Sequence, residues 1–239
     1  MARAIIALAM MVLAVASAHA APLVYLRDID PSIAQDMRYA TSDNFTGKPL
    51  PGYTAAECLL LPQVARALKR VQTDLAAADL SLKVYDCYRP ARAVARMAAW
   101  ARGKGGASRF YPALDKAKLF ALGYIASHSA HSRGVAVDLT LVPRHATPAT
   151  FDPSAQYGPC TSAQRAPDNS LDMSTGFDCF DGKSHMHSTA ITLAQAANRR
   201  ALLNAMRKHG FANYKREWWH FSFRGAGSGV AYDLPIVPR

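Results

Sequence analysis

One stretch constrains the fold of this chain more than any other. Residues 129–138 read S-A-H-S-R-G-V-A-V-D and run on into L-T-L. Val135, Val137, Leu139 and Leu141 alternate with Ala136, Asp138 and Thr140. Period two marks a β-strand, here with one greasy face and one small, polar face. Asp138 lies on the polar face of a strand otherwise built for burial, where an unpaired carboxylate is costly. It therefore points away from the core into a cleft and needs a cation to compensate it. Just upstream, Gly134 permits a tight turn that brings His131 back towards Asp138. A turn and the strand it feeds make a rigid mounting for both side chains.

A second short motif, E-W-W-H at residues 217–220, adds another imidazole and another carboxylate. Two His and one Asp can hold zinc with one position left open for water, and a nearby Glu can take a proton from that water. His131, Asp138 and His220 are the candidate ligands of one zinc ion per chain, and Glu217 is the candidate base. Residues 217–223 read as the last strand, with Trp219, Phe221 and Phe223 on one face and Trp218, His220 and Ser222 on the other. On a straight strand Glu217 and His220 would point to opposite faces, so a break is expected near Glu217. The other histidines, His128, His145, His185, His187 and His209, lack this context, and 185–187 are expected in solvent-facing loop.

Around these motifs the chain reads as one α+β domain, a small and mostly antiparallel sheet flanked by helices, with the zinc site in a cleft on the sheet. Its 239 residues, half of them hydrophobic, suffice for a single core, and no internal repeat is present. Thr54-Ala55-Ala56-Glu57 matches a capping box, so a helix is expected from residue 54 to about 78. A strand follows at 80–88, a helix at about 90–102 stopped by the Gly-rich 103–106, and a third helix at 189–209 stopped by Gly210. Residues 142–188 are rich in Pro, Asp and Gly; a loop of this length is functional or disordered.

The formal charge is +11, from 28 basic and 17 acidic residues, but the Lys and Arg are scattered, so nucleic-acid binding is not expected. Residues 1–20 read as a signal peptide: Arg3, an apolar run at 4–15, and Ala18-His19-Ala20 as the cleavage site. The apolar run is shorter than the ~20 residues of a membrane span. Residues 21–239 are then expected to be the exported, periplasmic domain, with no stable membrane span. In an oxidising compartment Cys58, Cys87, Cys160 and Cys179 suggest two disulfides. Of three connectivities, Cys58–Cys87 with Cys160–Cys179 is favoured because each pair lies within one region of the chain; buried free thiols are the alternative.

The motif pair S-x-H-x-x-G-x-A-x-D and E-x-x-H resembles the zinc D-alanyl-D-alanine dipeptidases of the VanX type and their wider peptidase clan. Residues 39–48, Y-A-T-S-D-N-F-T-G-K, resemble that family's N-terminal segment. Residues 85–90, Y-D-C-Y-R-P, resemble its arginine strand, 172–178 its D-M-G-x-x-F-D segment, and 216–221 its closing strand. The resemblance implies cleavage of D-Ala-D-Ala by zinc-activated water, with Glu217 as base and then acid. It implies Arg89 for the tetrahedral oxyanion, and Ser129, Tyr39, Tyr53 and Asp178 for the dipeptide termini, Asp178 matching a free ammonium. The leader, the cysteines and an enlarged loop at 142–169 depart from the family pattern and bear on substrate range. Two other readings stand beside this one: a D,D-carboxypeptidase or L,D-endopeptidase on longer wall peptides, and a non-catalytic, zinc-dependent wall-binding protein. Oligomeric state is left open.

Overall fold

A computed structural model describes residues 23–103, 108–226 and 229–239. The leader and its cleavage site, and residues 104–107 of the Gly-rich stretch, lie outside the described residues. The elements are β1 (Val24–Tyr25), α1 (Leu26–Ile29), β2 (Ala34–Gln35), β3 (Leu59–Leu60), α2 (Pro62–Ala76), β4 (Leu80–Asp86), α3 (Ala91–Arg102), β5 (Ala136–Pro143), α4 (Leu193–Lys208), β6 (Phe211–Asn213) and β7 (His220–Phe223). Five strands form one open sheet in the order β2-β4-β5-β7-β6, and β1 pairs with β3 in a separate ribbon. All pairs are antiparallel except the short edge pair β2–β4. The result is a single α+β domain with a mixed, mostly antiparallel sheet.

The central strand follows its alternation. Val137, Leu139 and Leu141 are fully buried and Val135 nearly so, and they share one core with the buried face of α2, formed by Val64, Leu68, Val71 and Leu75. The helix packs across β4 and against α4. The opposite face of β5 is equally closed, with Ala136, Asp138 and Thr140 all buried.

Two helix starts differ from expectation. α2 begins at Pro62, whose missing N–H is harmless in a first turn. Thr54 instead donates from Oγ1 to the Ile236 carbonyl, Glu57 pairs with Arg27, and Leu59–Leu60 extends to pair with β1. The third helix starts four residues late, at Leu193, because the capping box is Thr192 with Gln195. Leu193 is 90% exposed and contributes nothing to the buried face. The expected strand at 217–223 begins only at His220, and Glu217 lies in the turn before it.

Both disulfides of the favoured connectivity are present, Cys58–Cys87 and Cys160–Cys179. The long 142–188 segment has little regular structure yet is firmly fastened. Leu171 N–H donates to Leu141 O. The Arg199 guanidinium, buried in α4, donates to the carbonyls of Met173, Lys183 and His185. Asp168 accepts from Tyr85 Oη at 2.7 Å. Met186 is consequently buried and His185 bonded to Tyr124, against the expectation of a wholly solvent-facing 185–187.

Candidate metal centre and substrate cavity

Strand register assembles the site. Asp138 on β5 lies directly opposite His220 on β7 and, on its other side, opposite Asp86 on β4. Directly opposed residues share a sheet face, so three polar side chains form a row across three strands. Asp86 reaches this row through a bulge. Val84 pairs with Leu139 on the core face, and the register then slips so that Asp86, not Tyr85, opposes Asp138. Without the extra residue, Asp86 would share the face of Val84.

His131 arrives from the 3-10 turn His131–Arg133 that precedes β5. Its N–H donates to Ser129 Oγ at 3.2 Å, and its carbonyl accepts from Gly134 N at 2.9 Å. Gly134 has φ +67°, and a Cβ there would lie 2.5 Å from Leu23 Cδ2 and 3.3 Å from the Leu61 nitrogen. His131 Nδ1–H donates to the Cys87 carbonyl at 2.6 Å, which turns Nε2 and its lone pair towards the row.

His131 Nε2 lies 3.1 Å from His220 Nδ1 and 3.3 Å from Asp138 Oδ1, and His220 Nδ1 lies 3.0 Å from the same oxygen. The ligand atoms of the three residues all lie within 4.8 Å of one another. With the His220 proton on Nε2, towards Ser222 Oγ at 3.4 Å, two imidazole lone pairs and a carboxylate oxygen converge on one point. A cation relieves their mutual repulsion, and two imidazoles with one carboxylate are an established zinc donor set. The residues present therefore fit the metal. The carbonyl behind His131 supplies the outer support that orients such a ligand.

The electrostatics agree. Burial works against the Asp138 carboxylate, yet His131 and His220 hold it well below the usual range. Burial also lowers His220, keeping its imidazole neutral. Glu217 Oε2 is 3.9 Å from His220 Nδ1. Burial first, then the charges of Asp138 and Asp178, push the Glu217 carboxyl well above its ordinary value, with Arg89 opposing.

Arg89 is held from behind. Its Nε and Nη2 each lie 2.8 Å from Asp86 Oδ2, and Nη2 lies 3.4 Å from Asp138 Oδ2. Nη1 meets only the Met97 thioether, at 3.7 Å, among these partners. The guanidinium sits 4.8 Å above the Tyr39 ring, whose hydroxyl donates to Asp178 Oδ2 at 2.8 Å. Burial, then Asp138, raise the Asp178 carboxyl well above its usual range.

These groups line a cavity of about 300 Å³. Tyr39, Arg89, Ser129, His131, Asp138, Asp178, Glu217 and His220 all line it, with Tyr124, Tyr214 and Trp219. Tyr53 is not in that lining; its hydroxyl donates to Asp86 Oδ1 at 2.6 Å, behind Arg89. Asp86, fully buried, was not singled out from the sequence. It accepts from Tyr53 and Arg89 and lies 3.3 Å from His131 Nδ1. Nothing in its local pattern distinguishes it, because the bulge that turns it into the site is a property of strand pairing.

A single α+β domain whose sheet mounts two imidazoles and a carboxylate beside a buried glutamate and arginine defines the class of the protein: a metallopeptidase. The family model for the M15 peptidases, described as D-ala-D-ala dipeptidase, matches residues 19–152 and 143–237. A D-alanyl-D-alanine dipeptidase of Streptomyces coelicolor is 36% identical over 218 residues, covering 89% of this chain and 97% of that protein. One from Enterococcus faecalis is 35% identical over 201 residues, covering 83% and 89%, and one from Escherichia coli is 31% identical over 206 residues, covering 86% of each. The chain belongs to the M15 D-Ala-D-Ala dipeptidase family.

Proposed function

We propose that the protein hydrolyses D-alanyl-D-alanine to two molecules of D-alanine, with one zinc ion held by His131, Asp138 and His220. The observation that carries this reading is the 300 Å³ cavity in which the ligand triad, Glu217, Arg89 and Asp178 all meet. That volume is at the small end of the range for ligand sites, about 300–1,000 Å³. Zinc bound there supplies Lewis acidity and lowers the pKa of water towards about 7.

The chain's own groups do the rest. Asp178 has a buried carboxyl braced by Tyr39 and short of a positive partner, so an ammonium entering the cavity supplies its counter-charge. Glu217 accepts the proton of the attacking water and returns it to the departing amine. Arg89 Nη1, which donates to the weak Met97 thioether acceptor, can donate to the oxygen of the cleaved carbonyl as charge develops on it. Asp86 and the Tyr39 ring keep the guanidinium from turning away.

Product analysis on D-Ala-D-Ala, its L-containing isomers and a wall pentapeptide tests this reading. Release of D-alanine from the D,D-dipeptide in preference to the pentapeptide supports it. Preference for the pentapeptide favours a carboxypeptidase or endopeptidase, and no hydrolysis of any wall peptide favours a binding protein.

We further propose that residues 1–20 direct export to the periplasm, which the two disulfides support. Salvage or remodelling of wall peptides would then be the physiological role. No helix among the described residues is long and apolar enough to cross a membrane.

A further inference from the structure

One wall of the cavity is built differently from the rest. Tyr124, Ile125 and Ala126 line it, and they belong to a stretch of successive turns rather than to a strand or helix. Two carbonyls of this stretch are gripped from the turn between β6 and β7. Tyr214 Oη donates to Gly123 O at 3.0 Å, and Arg216 Nη1 donates to Leu122 O. The fit is close: Gly123 has φ +75°, and a Cβ there would lie 2.9 Å from Tyr214 Oη.

The gripping turn is itself stiff. Asn213 Nδ2 donates to the carbonyls of Glu217 and His220 at 2.8 and 2.9 Å, and Glu217 N donates to Tyr214 O at 3.0 Å. Met186 N bonds Lys215 O, and Trp218 N bonds Ser184 O, both at 3.0 Å. A rigid turn that carries Glu217 thus holds the carbonyls of a wall built of turns, whose other ties are backbone bonds to residues 118–120 and the contacts of Tyr124 with His185 and Phe180. The opposite wall, with Arg89, Tyr39 and Asp178, is fastened by strand β4, by Asp86 and by the disulfide next to Asp178.

We infer that Tyr214 and Arg216 are specificity-determining residues: their clasp on Leu122 and Gly123 closes the cavity beside Glu217 and restricts the substrate to a short peptide. The inference rests on the peptidase reading above and names what sets substrate length. A chain extending past the reacting bond on this side must pass where residues 122–126 meet 214–216. With the two donors in place, the loop carbonyls are pinned there. With the donors removed, both carbonyls can turn to water and the wall can swing outward.

The test compares Tyr214→Phe, Arg216→Ala and the double variant with the parent protein. Two peptides are used, D-Ala-D-Ala and tri-D-alanine, which keeps the free ammonium and extends the chain past the leaving residue, on the Glu217 side. Loss of one neutral and one charge-assisted hydrogen bond predicts that the tripeptide-to-dipeptide ratio of kcat/KM rises about tenfold or more in the double variant. The dipeptide's loss should lie chiefly in KM. Gly123→Ala, whose methyl displaces the Tyr214 hydroxyl, should shift the ratio in the same direction from the other side of the clasp. Hydrogen exchange of the amides at 122–126 reads the opening itself and should speed up in every variant. Faster exchange with an unchanged ratio overturns the inference, as does unchanged exchange. If the parent protein cleaves neither peptide, the activity reading fails separately. The clasp is then judged on the ratio of Kd for the same two peptides, with the same expected and overturning results.

Discussion

Replacing Asp86 by Asn keeps the shape of the side chain and removes its charge. In the native structure Oδ1 accepts from Tyr53, while Oδ2 faces Arg89 Nε and Nη2, both at 2.8 Å, and His131 Nδ1 at 3.3 Å. An amide nitrogen in the Oδ2 position would present N–H to three donors. The better arrangement turns the amide oxygen towards Arg89 and the nitrogen towards Tyr53, whose hydroxyl can accept. The guanidinium still loses its main counter-charge, and the remaining carboxylate, Asp138 Oδ2 at 3.4 Å, belongs to the metal row. Breaking a buried pair in this way costs about 3–5 kcal/mol, which in a chain of this size lowers Tm by roughly 10 °C. Competition by Arg89 for Asp138, with weaker outer support of His131, lowers zinc affinity by about 10–100-fold. Melting of the metal-free protein and zinc competition against a chromophoric chelator measure the two effects separately. Tyr53→Phe is the control, since it removes one hydrogen bond, worth about 1 kcal/mol, and leaves Oδ2 untouched. An Asn variant that melts with the parent protein and binds zinc equally well refutes the reasoning.

Gly134→Ala should destabilise the protein by about 1–3 kcal/mol, from left-handed backbone strain and the contact with Leu23 and Leu61; an unchanged thermal midpoint contradicts this. Asp168 supplies the pH-dependent case. Burial works against its carboxylate, but Lys83, Ser170 and Tyr85 hold it below its ordinary value. A group depressed in the folded state contributes stability above its unfolded pKa, about 3.9, and loses it as pH falls through the folded value. Asp168→Asn should therefore be less stable than the parent in urea at pH 7, and the gap should narrow below about pH 4; a gap that widens in acid contradicts the assignment.

How much of this was legible in the sequence varied with how local the cause was. The alternation at 135–141 is a local pattern, and the strand it predicts is the centre of the sheet. The misplacement of Glu217 on a straight strand was also visible as a geometric conflict, and the structure resolves it by starting β7 at His220. Thr54-x-x-Glu57 has the letters of a capping box, but Ile236 and Arg27, more than 25 residues away in either direction, claim both side chains. Such tertiary competition cannot be read from a short window. β6, three residues long, and the parallel edge strand β2, two residues long, are too short to show a period. Asp86 was hidden for a different reason: by simple alternation it belongs with Leu82 and Val84 on the core face, and only the bulge against β5 turns it to the site. The clasp of Tyr214 and Arg216 on residues 122–123 joins positions more than 90 apart, and neither end carries a recognisable motif.

The most direct test of the account is a zinc titration of activity. Protein stripped with a chelator and freed of it should release no D-alanine from D-Ala-D-Ala, and added zinc should restore turnover linearly to an end point of one ion per chain. His220→Ala should fail to recover, whereas Glu217→Ala should take up the ion and remain inactive. Full turnover by the stripped protein, or by either variant, would contradict the central claim that His131, Asp138 and His220 hold the metal on which Glu217 acts.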